Sequence, residues 1–264
     1  MTRTERDAYP GEMANGPADE LRTVDQLGLP DCRMTHFHVR HGSSFRPMSQ
    51  LDRWEAIRQL ELHPEVPEEI RTHYNTARNV YLFAWHVYRF HVVAEHQVLA
   101  TLEMALRQAL FERCFLDQEG RPLAWPAAAQ ASTKQPRPLT LSNLLTLARS
   151  KGVVQNNGFT RRLKWAQQLA DGRRRLQEVE FMQRNNITEM VFPDEPAVPT
   201  IDELECDWLD DLVEAIPRLR NEYAHGTQML HATVLRTFEM VSELVNQLWP
   251  TASSSIADPA CRPP

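Results

Sequence analysis

The sequence predicts an all-α protein, and three observations carry that reading. Of its 18 prolines, all but Pro217 fall into four zones: Pro10 to Pro67, Pro122 to Pro138, Pro193 to Pro199 and Pro250 to Pro264. Proline breaks helix interiors, so the stretches between these zones are the helical candidates. From Ile70 to Leu110 apolar residues recur close to every 3.5 positions, the spacing of one helix face. Glycine is scarce, at 9 residues, and most β-branched residues are scattered, which favours helix over strand. The expected architecture is a helical bundle with one long helix. It has an irregular N-terminal extension over 1–50, a helical domain over 51–250 and a disordered tail over 251–264. Any sheet is limited to a short hairpin near 32–40 or 180–192.

The 264 residues suffice for one large domain or two small ones with a real core. Apolar content of 42% and charged content of 24% are ordinary for a globular chain. A net charge of -6 argues against a general nucleic-acid coat and leaves room for a local basic groove. No stretch is long and apolar enough to span a bilayer, and Met1 to Glu20 has no apolar core of a signal peptide. Cys32, Cys114, Cys206 and Cys261 form no CxxC pair. That points away from disulfides and zinc and towards a reducing cytoplasm, with no membrane and no cofactor implied.

In chain order, residues 1–45 are polar and irregular. If Cys32 to His41 were a strand, His36 and His38 would share a face. A metal site there lacks an acidic ligand, and the alternative is a solvated extended segment. Leu51, Trp54 and Ile57 mark a short amphipathic helix, and Pro64 and Pro67 then stop the chain. A single helix over 68–116 would be roughly 70 Å long, so it either breaks or runs against a partner helix. Glu95 is the one polar entry in its apolar stripe. Thr140 or Ser142 can cap a helix burying Leu141, Leu144, Leu145 and Leu147. Gly152 to Gly158 forms a turn. The next helix is basic, with Arg161, Arg162, Lys164, Arg173, Arg174 and Arg175 and only Asp171 opposing. It is a phosphate-tracking surface or a solvated face. Phe181 to Pro199 reads as a linker. Thr200 and Glu203 then make a capping box for a helix carrying Ile201, Leu204, Trp208, Leu212 and Ile216 on one side. Pro217 kinks or restarts that helix. The last helix, about Met229 to Trp249, buries Leu230, Val234, Phe238, Val241, Leu244, Val245 and Leu248.

Between these last two segments stands Arg220-Asn221-Glu222-Tyr223-Ala224-His225, followed by Gly226. It resembles the R-N-x-x-x-H signature of the HEPN superfamily of all-helical ribonucleases. Leu102 to Leu110, reading LEMALRQAL, is similar to the L-E-x-A-L-R-N-A-L helix of the Abi-like (abortive infection) branch, with Gln108 where that branch has Asn. The resemblance covers about residues 80–250. It implies a metal-independent endoribonuclease, a toxin or phage-defence effector with RNA as substrate and an antitoxin or regulatory protein as possible partner.

RNA cleavage of this kind moves a proton from the ribose 2′-OH, returns one to the leaving 5′-oxygen and stabilises charge on phosphorus. His225 titrates near neutrality and suits either transfer. Arg220 offers a permanent fork of donors to phosphate oxygens, and Asn221 can orient the His or hold an oxygen. Residues five apart on a straight helix point about 140° away from each other, so Arg220 and His225 share a pocket only if the helix breaks between Pro217 and Gly226. One His for two proton transfers implies, by the resemblance, a homodimer that joins two motifs. The overlong stripe from Ile70 to Leu110 points the same way. The resemblance also implies a polar residue facing the motif. Glu103 is the candidate for it, against a plain i, i+4 salt bridge to Arg107. Tyr223 either stacks on a base or is packed inside. The RNA-contacting set is then Tyr223, Arg107 and the six basic residues 161, 162, 164, 173, 174 and 175. The competing readings are a non-catalytic module binding RNA, a nucleotide or a protein, and a structural dimer in which Arg220 and His225 lie exposed and apart.

Overall fold

The computed structural model describes residues 18–42, 44–123, 137–192, 195–224 and 234–251. Among these the fold is all-α apart from one small sheet. The helices are α1 (Gln50–Arg58), α2 (Glu68–Phe83), α3 (Phe90–Glu112), α4 (Leu141–Ser150), α5 (Arg162–Arg184), α6 (Ile201–Leu204), α7 (Trp208–Ala224) and α8 (Val234–Leu248). Strands β1 (His38–His41) and β2 (Ser44–Pro47) pair antiparallel, with His38 opposite Pro47 and His41 opposite Ser44. No described helix is long and apolar enough to cross a membrane. By its internal contacts the chain forms two compact units. One comprises Met1–Glu61, Pro67–Thr101 and Tyr223–Glu239, and the other Leu62–Val66, Leu102–Glu222 and Met240–Pro264.

In the first unit the long apolar stripe breaks. α2 ends at Phe83 and α3 starts at Phe90, although no Gly or Pro stands between them. The unwound backbone exposes polar groups that need partners, and the N-terminal extension supplies them. Asp31 is fully buried. Its carboxylate accepts from the Tyr88 amide at 3.0 Å, and its own amide donates to the Trp85 carbonyl at 2.9 Å. Arg22 donates to the His86 carbonyl, and the His86 ring bonds the Leu29 carbonyl. Phe37 stacks on Tyr88 with centroids 5.9 Å apart. The extension is therefore docked at Arg22, Leu29, Asp31 and Phe37 and is not irregular throughout. His36 ends a 3-10 turn that starts at Cys32, so the strand holds His38 without His36. Among the described residues no group of three His, Cys, Asp or Glu could hold a metal. Ser49 and Asp52 cap α1 reciprocally. Ile70, Tyr74, Ala77 and Tyr81 of α2 are buried, and the Tyr74 and Tyr81 rings meet Phe238 edge-on.

In the second unit Leu102, Leu106 and Leu110 are fully buried. With Ile70 to Tyr88 buried as well, the apolar stripe is covered within one chain, so it gives no reason for a dimer. α4 buries Leu141, Leu144, Leu145 and Ala148, with Leu147 only half-buried. Ala148 stands one helical turn past Leu144 and so replaces Leu147 on that face. α5 extends to Arg184, beyond Phe181. Its start is capped from a distance, because Glu243 accepts from the Thr160 amide and hydroxyl, each at 2.6 Å. Trp165 packs against Phe159 and Trp208, both at 5.3 Å.

The capping box at Thr200 and Glu203 forms, but the helix it opens lasts only four residues. A new helix starts at Trp208 because the Asp207 side chain accepts from the Asp210 amide at 3.1 Å, while Asn156 takes the Cys206 carbonyl at 2.9 Å. Pro217 lies inside α7 and does not restart it. Proline forfeits one backbone bond and costs about 3 kcal/mol in a helix interior. Buried Leu209, Leu212 and Ile216 hold the helix through it. Met229, Leu230, the tail from 252 and most of the 117–138 loop lie outside the described residues.

Burial pushes the Asp31 carboxyl up, but bonds from the Arg33 side chain and the Tyr88 and Arg33 amides outweigh it and hold it below the ordinary aspartate value. A depressed pKa contributes stability above the unfolded value, about 3.9, and that stability is lost as pH falls through the folded value. Asp31→Asn is expected to lower urea stability at pH 7 by about 1–3 kcal/mol. The deficit should shrink below pH ~4. An equal deficit at both pH values would refute the charge-based account.

Candidate active site

The C-terminal end of α7 carries Arg220, Asn221, Glu222, Tyr223 and Ala224. His225 and Gly226 follow directly and lie outside the described residues. Within the second unit, Arg220 Nη2 lies 3.4 Å from Glu103 Oε2, and Arg107 Nη2 donates to Glu103 Oε1 at 2.8 Å. The two sequence readings of Glu103 therefore coexist, because one carboxylate serves both guanidiniums. Two positive charges and one negative leave one net positive charge. Arg107 Nη2 also donates to the Leu139 carbonyl at 2.7 Å, which ties α3 to the start of α4. Gly120, at φ +73, passes so close that a Cβ there would stand 2.7 Å from Arg107 Nη1. Arg107 is thus a strut as well as part of the site.

These side chains border a cavity of about 330 Å³ lined by Glu103, Arg107, Pro217, Arg220 and Asn221 on one side and Leu139 to Ser142 on the other. Thr140 is the N-cap of α4, yet its hydroxyl makes no capping bond. The first amides of a helix have no intrahelical acceptor and favour an anion. The cavity thus joins two guanidiniums, a carboxamide, two hydroxyls and a helix start, donors suited to phosphate oxygens, with the Glu103 carboxylate between the guanidiniums. A larger hollow of about 600 Å³ beyond Arg107 includes neither Arg220 nor Asn221.

Tyr223 belongs to the first unit and is 8% exposed. Its hydroxyl donates to Glu95 Oε2 at 2.7 Å, and the Thr237 hydroxyl donates to Glu95 Oε1. A ring so enclosed offers no face to a base, so packing is its role. Glu95, the polar entry in the apolar stripe, is the residue that sequence reasoning left without a function. It anchors the chain two positions before His225.

The basic cluster is opposed by more than Asp171. Arg161 pairs with Glu243 at 3.5 Å, Arg174 with Glu178 at 3.5 Å and Arg173 with Glu203 at 2.8 Å. The Arg173 and Thr200 bonds hold the Glu203 carboxyl down at about 2. Arg162, Lys164 and Arg175 are exposed. Glu203 and Glu243 come from distant segments and so do not show along the chain, whereas Glu178 stands on α5 itself, four positions past Arg174.

Tyr223→Phe removes one donor from buried Glu95. It is expected to lower urea stability by about 1–3 kcal/mol with the far-UV dichroism unchanged. Wild-type stability in that variant would show that the bond contributes nothing. No protein-family model, no curated protein and no solved structure matches this chain.

Proposed function

We propose that the chain is a metal-independent endoribonuclease of the HEPN type, acting as a toxin or phage-defence effector. The observation that carries this reading is the Glu103 carboxylate, shared by Arg107 and Arg220, beside Asn221 and the uncapped start of α4. In the mechanism, Arg220 and the α4 amides hold the scissile phosphate and stabilise the charge that builds on it. Glu103 orients Arg220, and His225 transfers the proton of the 2′-OH or of the leaving oxygen. A homodimer supplies the second His. It rests on the count of one His per motif, since the apolar stripe is covered within the chain. Along α5, contact with RNA phosphates would fall first to Arg162, Lys164 and Arg175, the exposed members of the cluster. The ion pairs of Arg161, Arg173 and Arg174 favour a second reading, a helical module that binds a partner without cleaving it.

The test is purified full-length protein with RNA in excess EDTA. Cleavage should persist and leave a 2′,3′-cyclic phosphate, and a 2′-deoxyribose at the scissile position should block it. His225→Ala and Arg220→Ala should each stay folded and lose about a hundred- to ten-thousandfold in rate. A requirement for Mg²⁺, or equal cutting of DNA, would overturn the mechanism. Tight RNA or protein binding with no cleavage would establish the second reading.

A further inference from the structure

A second site lies in the first unit and does not depend on the proposed ribonuclease activity. Arg53 of α1 is 4% exposed, yet no Asp or Glu among the described residues pairs with it. Its Nη2 donates to the Tyr81 carbonyl at 2.7 Å and contacts His91 Nε2 at 2.9 Å. A guanidinium has only donors, so His91 Nε2 is the acceptor, and Nδ1 carries the hydrogen shared with the Tyr88 carbonyl at 2.9 Å. The Arg53 Cζ stands 4.3 Å over the Tyr81 ring. Its Nε is buried with no hydrogen-bond partner. The neighbouring carboxylate on α1, Asp52, is already committed to Arg46 at 2.6 Å and to Ser49. Arg53 is therefore a desolvated positive charge held by a carbonyl, an imidazole and a ring. Such a charge costs several kcal/mol unless an anion compensates it. Burial accordingly draws its pKa down.

That charge borders a cavity of about 190 Å³ lined by Gln50, Arg53, Trp54 and Leu82. At a share of ~30 Å³ per water, this is roughly six water volumes, enough for one oxyanion group and a small body. Gln50 is held by its Nε2 against His86 Nε2 at 3.1 Å and keeps a second amide hydrogen. Trp54 is 47% exposed and forms a flat apolar wall, with the Arg58 guanidinium 5.1 Å from its ring. We propose that this cavity binds a small oxyanion, a phosphate or a carboxylate group, held by Arg53 and Gln50 with its body against Trp54. The ligand supplies the counter-charge that no described carboxylate gives Arg53.

The experiment titrates the full-length protein with inorganic phosphate in one arm and succinate in the other, at ionic strength fixed with sodium chloride. Melting temperature and calorimetric heat are followed. One of the two anions should give saturable stabilisation that chloride does not, and the responding arm identifies the group as phosphate or carboxylate. Gln50→Ala should weaken that binding about ten- to a hundredfold, as expected for a bond to a charged ligand. Arg53→Met should abolish it. If Arg53→Met does not fold, Gln50→Ala and Trp54→Ala carry the test, since both positions are exposed. Absence of saturation by either anion overturns the proposal. So does saturation that persists in Arg53→Met, or unchanged affinity in both Gln50→Ala and Trp54→Ala.

Discussion

An apolar stripe of some forty residues cannot stay one straight helix in a chain that must bury it, and the break at 84–89 is the point on which the first unit depends. Breaking a helix frees carbonyls and amides that cost free energy when buried unpaired. Here Asp31 meets both kinds at once, an amide through its carboxylate and a carbonyl through its own N–H. Arg33 then neutralises Asp31 at 2.8 Å and covers the Tyr88 ring at 4.9 Å. The polar N-terminal segment is thus the complement of the break. It packs well without an apolar pattern because its contribution is hydrogen bonds to backbone groups.

The carboxylates on α3 carry the link from fold to site. Glu95 holds Tyr223 in the first unit and Glu103 approaches Arg220 in the second, so both described anchors of the hexapeptide end on one helix. Hydrogen bonds to charged groups exceed neutral ones in strength and directionality. That suits residues whose purpose is to fix where neighbouring side chains stand. Pro217 contributes differently. It removes one bond of α7 just before the motif, and the helix nonetheless continues to Ala224, directly ahead of His225.

What could be read from the residues follows the range of the interaction. The start of α2 after Pro67, the Thr200 box and the core face of α8 are set by neighbours three or four positions apart, and all three stand where the sequence puts them. The contacts that escaped are long in sequence: Asp31 to Tyr88 across 57 positions, Glu243 to Thr160 across 83 and Glu103 to Arg220 across 117. The last was named as a pairing only through the resemblance. The lone Glu in the α3 stripe was a usable signal. A carboxylate on a buried face needs donors, and Tyr223 and Thr237 are among those it finds.

The same requirement separates the charges that hold the fold from the one left for a ligand. Asp31 has Arg33, Glu243 has the start of α5, and Glu103 divides itself between two arginines. For Asp31 and Glu243, both buried, the low dielectric that makes a buried charge costly also strengthens the bond that offsets it. Among the described residues Arg53 has no such carboxylate, and the groups around it are dipoles and a ring, weaker per contact than a carboxylate. Were it there for packing alone, an aliphatic side chain would fill the same space without the desolvation cost. A charge that no described carboxylate satisfies, bordering a cavity with a free amide hydrogen and an indole face, is most simply completed by a bound anion.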